Sequence, residues 1–266
     1  MLKGIDVSEH QKKIDWKKVK DDGVQFAMLR MGFGSDIQSQ TDDYVLRSAK
    51  ECDRLGIPYG LYIYSYATSE SKAHSEAQHM IRIAKQVNAT LGYYYDMEDA
   101  DGYKLKHNFN PRTHKAELTN FCLIFMEDMK KAGYDNVGVY ANKDYFTNIL
   151  DIEKIRRSGK IWLAQWGVSK PYVLCNMWQY TNNGSVKGIS GRVDMNYLYE
   201  EIEKPIEYYD KPEITLIEAL NDVGVTSTYE FRKKIAKANG ISDYKGTAEQ
   251  NMKLLDLLNN GNLIKA

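Results

Sequence analysis

The chain has 266 residues, and its 36 lysines and arginines balance its 36 aspartates and glutamates, so no net field draws it to nucleic acid or to an anionic membrane surface. That length allows one large domain of roughly 200 residues with a small one beside it. Cys52, Cys122 and Cys175 are odd in number and far apart, which excludes a disulfide framework or a zinc cluster; no metal site and no cofactor is expected.

The first ten residues, Met-Leu-Lys-Gly-Ile-Asp-Val-Ser-Glu-His, lack the apolar core of a signal peptide, and no run of about 18 apolar residues occurs. The expectation is a chain made in the cytoplasm and not inserted in a membrane. From residue 1 to about 198 short apolar runs alternate with helix-like stretches, the pattern of parallel strands covered by helices. Strands are predicted at 4–7, 26–30, 59–63, 93–96, 137–140, 161–165, 177–180 and 192–196, and helices at 16–22, 43–55, 70–87, 113–132 and 143–155. Eight strands suggest a closed α/β barrel. The stretches 167–175 and 181–191 are too short and too rich in Gly, Asn, Ser and Pro for crossover helices, so the last third should be irregular, with some antiparallel pairs.

Two motifs lead nowhere. Gly32-Phe33-Gly34 lacks the third glycine of a dinucleotide fingerprint and reads as a turn. His74 and His79 are five apart, off the i, i+4 spacing of a helical zinc pair, and read as solvated surface histidines.

The acids carry the chemistry. In the fourth strand region alternation turns Tyr94, Asp96 and Glu98 one way and Tyr93, Tyr95 and Met97 the other. Two carboxyls so close in a partly dry site cannot both ionise freely, which leaves a proton donor beside an anion, a division of labour suited to glycoside cleavage. Asp6 ends the first strand and Asp194 sits in the last. In a parallel barrel all four acids would meet at the C-terminal mouth. Candidates for the same mouth are Tyr62, Tyr64, Tyr140, Trp166 and Trp178 with Tyr180, core packing being the competing role of each ring. Arg30 is either a counter-charge to the acids or a lone surface arginine.

A charged stretch with two prolines follows, dividing the chain into a barrel at 1–203, a linker at 204–213 and a small module at 214–266. Three helices are expected in the module, opened by capping boxes at Thr215/Glu218, Ser227/Glu230 and Thr247/Gln250 and stopped by Gly224, Gly240 and Gly261. Ile217, Leu220, Phe231, Ile235, Leu254 and Leu258 supply its inward face, and Tyr229 and Tyr244 offer aromatic contacts. Wall targeting is the expected role of the module; homo-oligomer formation is the competitor.

Five segments taken together resemble glycoside hydrolase family 25, the muramidases of bacteriophage endolysins and some bacterial wall enzymes. They are Gly-Ile-Asp-Val-Ser-Glu-His-Gln from Gly4, Tyr-Asp-Met-Glu from Tyr95, Ile-Trp-Leu-Ala-Gln-Trp from Ile161, Met-Trp-Gln-Tyr-Thr from Met177 and Gly-Ile-Ser-Gly-Arg-Val-Asp-Met-Asn from Gly188. The resemblance implies an irregular TIM-like barrel of five β/α units plus three strands. It implies cleavage of the β-1,4 bond after N-acetylmuramic acid in peptidoglycan, with Glu98 as proton donor, Asp96 as its partner and Asp6 and Asp194 as supporting acids. The alternatives are an inactive glycan-binding barrel and a hydrolase of chitin-like polymers. Where many members carry histidine on the third strand this chain has Ile63, turned by alternation away from the cleft.

Overall fold

The computed structural model describes residues 1–199 and 215–266, so the expected linker lies outside the described residues. The chain divides into two compact units, Met1–Ile202 and Glu203–Ala266. In the first, β1 (Leu2–Val7), β2 (Phe26–Phe33), β3 (Tyr59–Tyr64), β4 (Tyr93–Asp96), β5 (Val137–Asn142), β6 (Lys160–Ala164), β7 (Met177–Gly184) and β8 (Val193–Leu198) form a closed barrel in chain order. Pairs from β1 to β7 are parallel, and β8 closes the barrel antiparallel to both β7 and β1. β6 and β7 stay parallel although residues 165–176 between them hold no helix, because a parallel return needs length rather than helix.

Alternation splits the apolar residues into two cores. Tyr93, Tyr95 and Met97 point outward into the layer formed by α1 (Trp16–Asp21), α2 (Val45–Leu55), α3 (Glu70–Ala84) and α5 (Lys115–Lys131), while Tyr94 points into the barrel. The interior floor is packed large against small. A Cβ on Gly4 would lie 2.5 Å from the Phe26 ring, one on Gly60 2.6 Å from Met28 and one on Gly138 2.6 Å from Tyr94. These are the residues that face each other in the ladders. Two residues further along each strand, the inward positions become Asp6, Arg30, Tyr62, Asp96, Tyr140 and Gln179. The period-2 geometry thus sets a polar layer directly above an apolar floor.

Four local expectations need correction. Gly32 and Phe33 belong to β2, which continues past a bulge between Arg30 and Gly32 instead of turning. The helix expected at 143–155 is broken at Leu150: a π-helical turn, Tyr145–Ile149, precedes α6 (Ile152–Ser158), whose Asp151 side chain caps Lys154 N. An unforeseen short helix, α4 (Tyr103–Lys106), follows the acids. His79 is buried, bonded to Thr41 Oγ1 and the Gly34 carbonyl, and burial depresses its pKa. The five-residue spacing that excludes a zinc pair also turns only His74 outward, where it meets Asp128.

The second unit contains α7 (Leu216–Asp222), α8 (Tyr229–Ala238) and α9 (Ala248–Asn259) around Leu220, Ile235, Leu254 and Leu258. Thr215 and Thr247 form capping boxes, but α8 is capped by Thr228, one residue after the expected Ser227. Leu216 takes the inward place expected of Ile217, which is exposed, and Tyr244 is core while Tyr229 stays at the surface.

Candidate active site

The mouth of the barrel holds a cleft of about 190 Å³ lined by Asp6, Asp96, Glu98 and Asp194 together with Arg30, Tyr62, Tyr64, Tyr140, Trp162 and Gln179. Asp194 arrives there by a different route from the one expected. It lies near the start of β8, and because β8 runs antiparallel to β1, Asp194 pairs with Asp6 in the ladder.

Asp6 is held by two amides. Gln179 Nε2 donates to its Oδ2 at 2.9 Å and Asn196 Nδ2 at 2.7 Å. Burial and the facing charge of Asp194 outweigh those bonds and push its pKa up to about 8; burial raises Asp194 as well. The amides are themselves fixed. Gln179 Oε1 accepts from Tyr140 Oη at 3.1 Å and Trp166 Nε1 at 3.0 Å, and Asn196 Oδ1 accepts from Trp162 Nε1 at 2.8 Å. Trp162 is the aromatic hub of the floor, meeting Tyr62, Tyr94 and Tyr140 edge to face at 5.5, 5.6 and 4.7 Å.

Asp96 is 4% exposed, and its Oδ1 is buried without a hydrogen-bond partner. Burial first and the charge of Glu98 second drive its pKa well above the carboxylate range. Glu98, just past the strand, is less enclosed. Burial pushes its pKa up to about 7, against the pull of Lys104 and a hydrogen bond with Asn142 at the end of β5. A carboxyl that titrates near neutrality thus stands beside a more deeply buried one whose charged form is disfavoured, an arrangement able to keep a proton on one of the pair.

Of the candidate contacts, Tyr62, Tyr64 and Tyr140 line the cleft, and Trp166, 49% exposed, stands at its rim through its bond to Gln179. Trp178 does not reach it. Its indole packs outside the barrel against Tyr180 and Tyr197, with Nε1 bonded to the Gln165 carbonyl, and the inward residue of that strand is Gln179. Arg30 lines the cleft but spends its guanidinium on Glu9 at 3.0 Å and Asp42 at 3.4 Å. Sequence reasoning missed Gln179, Asn196, Asn142 and Trp162. The first, second and fourth lie in segments quoted for their likeness, and alternation counted from Asp194 would have placed Asn196 inward. Among the described residues no group of three or more His, Cys, Asp or Glu side chains is arranged to hold a metal ion.

The family model for glycosyl hydrolases family 25 matches residues 5–189. The solved structure of the modular autolysin LytC from Streptococcus pneumoniae in complex with a synthetic peptidoglycan ligand superposes with a TM-score of 0.64 at 34% identity, over 73% of this chain and 46% of that one. The autolytic lysozyme of Clostridium acetobutylicum is 25% identical over 203 residues, 76% of this chain and 57% of its own length. The endolysin of Listeria phage A511 is 24% identical over 178 residues, 64% of this chain and 51% of its own. The chain therefore spans about half the length of these relatives.

Proposed function

Because the chain belongs to glycosyl hydrolases family 25, we propose that it is an N-acetylmuramidase of endolysin type. It hydrolyses the β-1,4 bond between N-acetylmuramic acid and N-acetylglucosamine in bacterial peptidoglycan and serves phage-mediated lysis at the cell wall. The observation that carries this reading is the pair Asp96 and Glu98, both with raised pKa, in one aromatic-floored cleft.

In the proposed reaction Glu98 protonates the leaving glycosidic oxygen, and Asp96 orients the substrate's own 2-acetamido group, whose oxygen attacks the anomeric carbon. Burial disfavours the charged form of both carboxyls. A hydrogen bond from the acetamido N–H to the Asp96 carboxyl favours its charged form. Asp6 and Asp194, with Gln179 and Asn196, hold the opposite wall of the cleft. The module at 214–266 tethers the barrel to the wall.

The test is reducing-end release from purified peptidoglycan compared with chitin. Release from peptidoglycan that vanishes with Glu98→Gln supports the reading. Preference for chitin makes the chain a hydrolase of chitin-like polymers, and binding without release makes it a lectin. A first-formed anomer of inverted configuration rules out the acetamido route.

A further inference from the structure

Behind the acids lies a buried cation that the reaction above leaves unused. Lys104 is 0% exposed, and its Nζ donates to the carbonyl oxygens of Ser65 at 2.5 Å and Glu98 at 2.6 Å. Both acceptors are main-chain carbonyls, so these bonds satisfy the ammonium without cancelling its charge, and a buried lysine held this way is costly unless it serves something.

Its position is set locally. Gly102, at φ 68°, turns the chain into α4, and the Asp99 carboxylate accepts from Lys104 N at 2.7 Å and Leu105 N at 3.2 Å. The lysine side chain is thereby folded back against the strand end from which Glu98 leaves. Ser65 closes the assembly from β3: its N–H donates to the Asp96 carbonyl at 3.0 Å and its hydroxyl to the buried Glu76 at 2.9 Å. One ammonium thus joins the residue after β3 to the residue two beyond β4.

We propose that Lys104 is a positioning residue for Glu98, fixing through one ammonium both the main chain from which the acid departs and the electrostatic field in which its carboxyl ionises. This role rests on the reading of Glu98 as the proton donor. The groups facing Lys104 are Glu76 from α3, Asp96 and Asp99 from β4 and the segment after it, Cys122 from α5 and the Tyr64 ring from β3. The groups facing Glu98 besides Lys104 are Asp96 and Tyr64, Tyr140 and Tyr145, with Asn142, Asp194 and Asp101. Against these acids the ammonium is the charge that favours ionised Glu98, and it acts in the same sense on Asp96 and Glu76.

The test is the pH profile of kcat/KM on soluble glycan fragments for the full chain and its Lys104→Met, Lys104→Gln and Lys104→Arg variants. Losing the cation leaves Glu98 protonated to higher pH, so the alkaline limb is expected to move up by about one unit in the Met and Gln variants. In the Arg variant it is expected to return toward the wild-type position. A purely structural lysine would lower thermal stability without moving that limb, so an unmoved limb in folded Met or Gln protein overturns the proposal. In case neither variant folds, NMR titration of the wild-type Lys104 ε-methylene provides a second arm. The ammonium is expected to persist between about pH 5 and 8, and a neutral amine there overturns the proposal as well. Turnover retained by Glu98→Gln would remove the acid assignment itself, and the Lys104 role with it, whatever the lysine variants do.

Discussion

Asp6 and Asp194 face each other across β1 and β8, and their environment states its own pH dependence. Burial and mutual charge raise Asp6 from 3.8 to about 8, so the folded chain binds a proton that the unfolded chain has already lost over that window. Folding stability from this pair is therefore fully present below the unfolded value and is lost as pH rises toward about 8. Asp194→Asn removes the facing charge, and the melting temperature is expected to fall less between acid and mildly alkaline pH than in the wild type; equal slopes would refute the contribution of that charge. Glu98 gives a kinetic counterpart. With a pKa near 7, its acid form and hence kcat/KM should decline above neutrality. Glu98→Gln should cost at least about 10²-fold in turnover with the fold intact, read by reducing-end assay and circular dichroism. These acids were legible in the sequence because carboxyls at strand ends stand out against apolar runs. Their amide partners were not, since Gln179 and Asn196 sit in strands where glutamine and asparagine carry no distinctive signal.

At the scale of elements, the barrel interior is a ladder of size complementarity. Gly138 faces Tyr94, and a Cβ there would also lie 2.7 Å from the Lys160 carbonyl. Gly138→Ala is expected to destabilise the barrel by about 1–3 kcal/mol, measured by urea unfolding, because the floor has no space to give. Gly23, whose added Cβ meets nothing within 4 Å but which sits at φ +90°, is a useful contrast, its cost coming from backbone strain alone. All eight strands could be read from period and composition, with ends misplaced by a few residues. The face each strand presents was harder. Trp178 and Tyr180 share a face as alternation requires, yet which face is a matter of register with β6 and β8, and register belongs to the assembled sheet. The broken helix after β5 was hidden for a related reason: Asp151 reads as an ordinary helical surface acid until its capping bond to Lys154 N is seen.

At the scale of the whole molecule, every proposed reacting group belongs to the unit Met1–Ile202, and the second unit has its own core. A chain ending after Ile202 is expected to keep its activity on soluble fragments. On intact walls it should lose much of it, since a second attachment to one polymer raises avidity by roughly 10² to 10⁴. The isolated second unit should sediment with walls; if it ignores them and sets the mass of the full chain by dimerising, its role is assembly. The partners of Asp6 carry a consequence for how the protein is made. Gln179 and Asn196 are 173 and 190 positions away from it. At ribosomal rates of about 5–20 residues per second, roughly ten to forty seconds separate the synthesis of Asp6 from that of its last partner. Throughout that interval the nascent chain carries one wall of its cleft without the other. A chain arrested before β8 is expected to be inert toward glycan, and release of that strand should switch it on, so that an acid made early becomes useful only once its late partners have arrived.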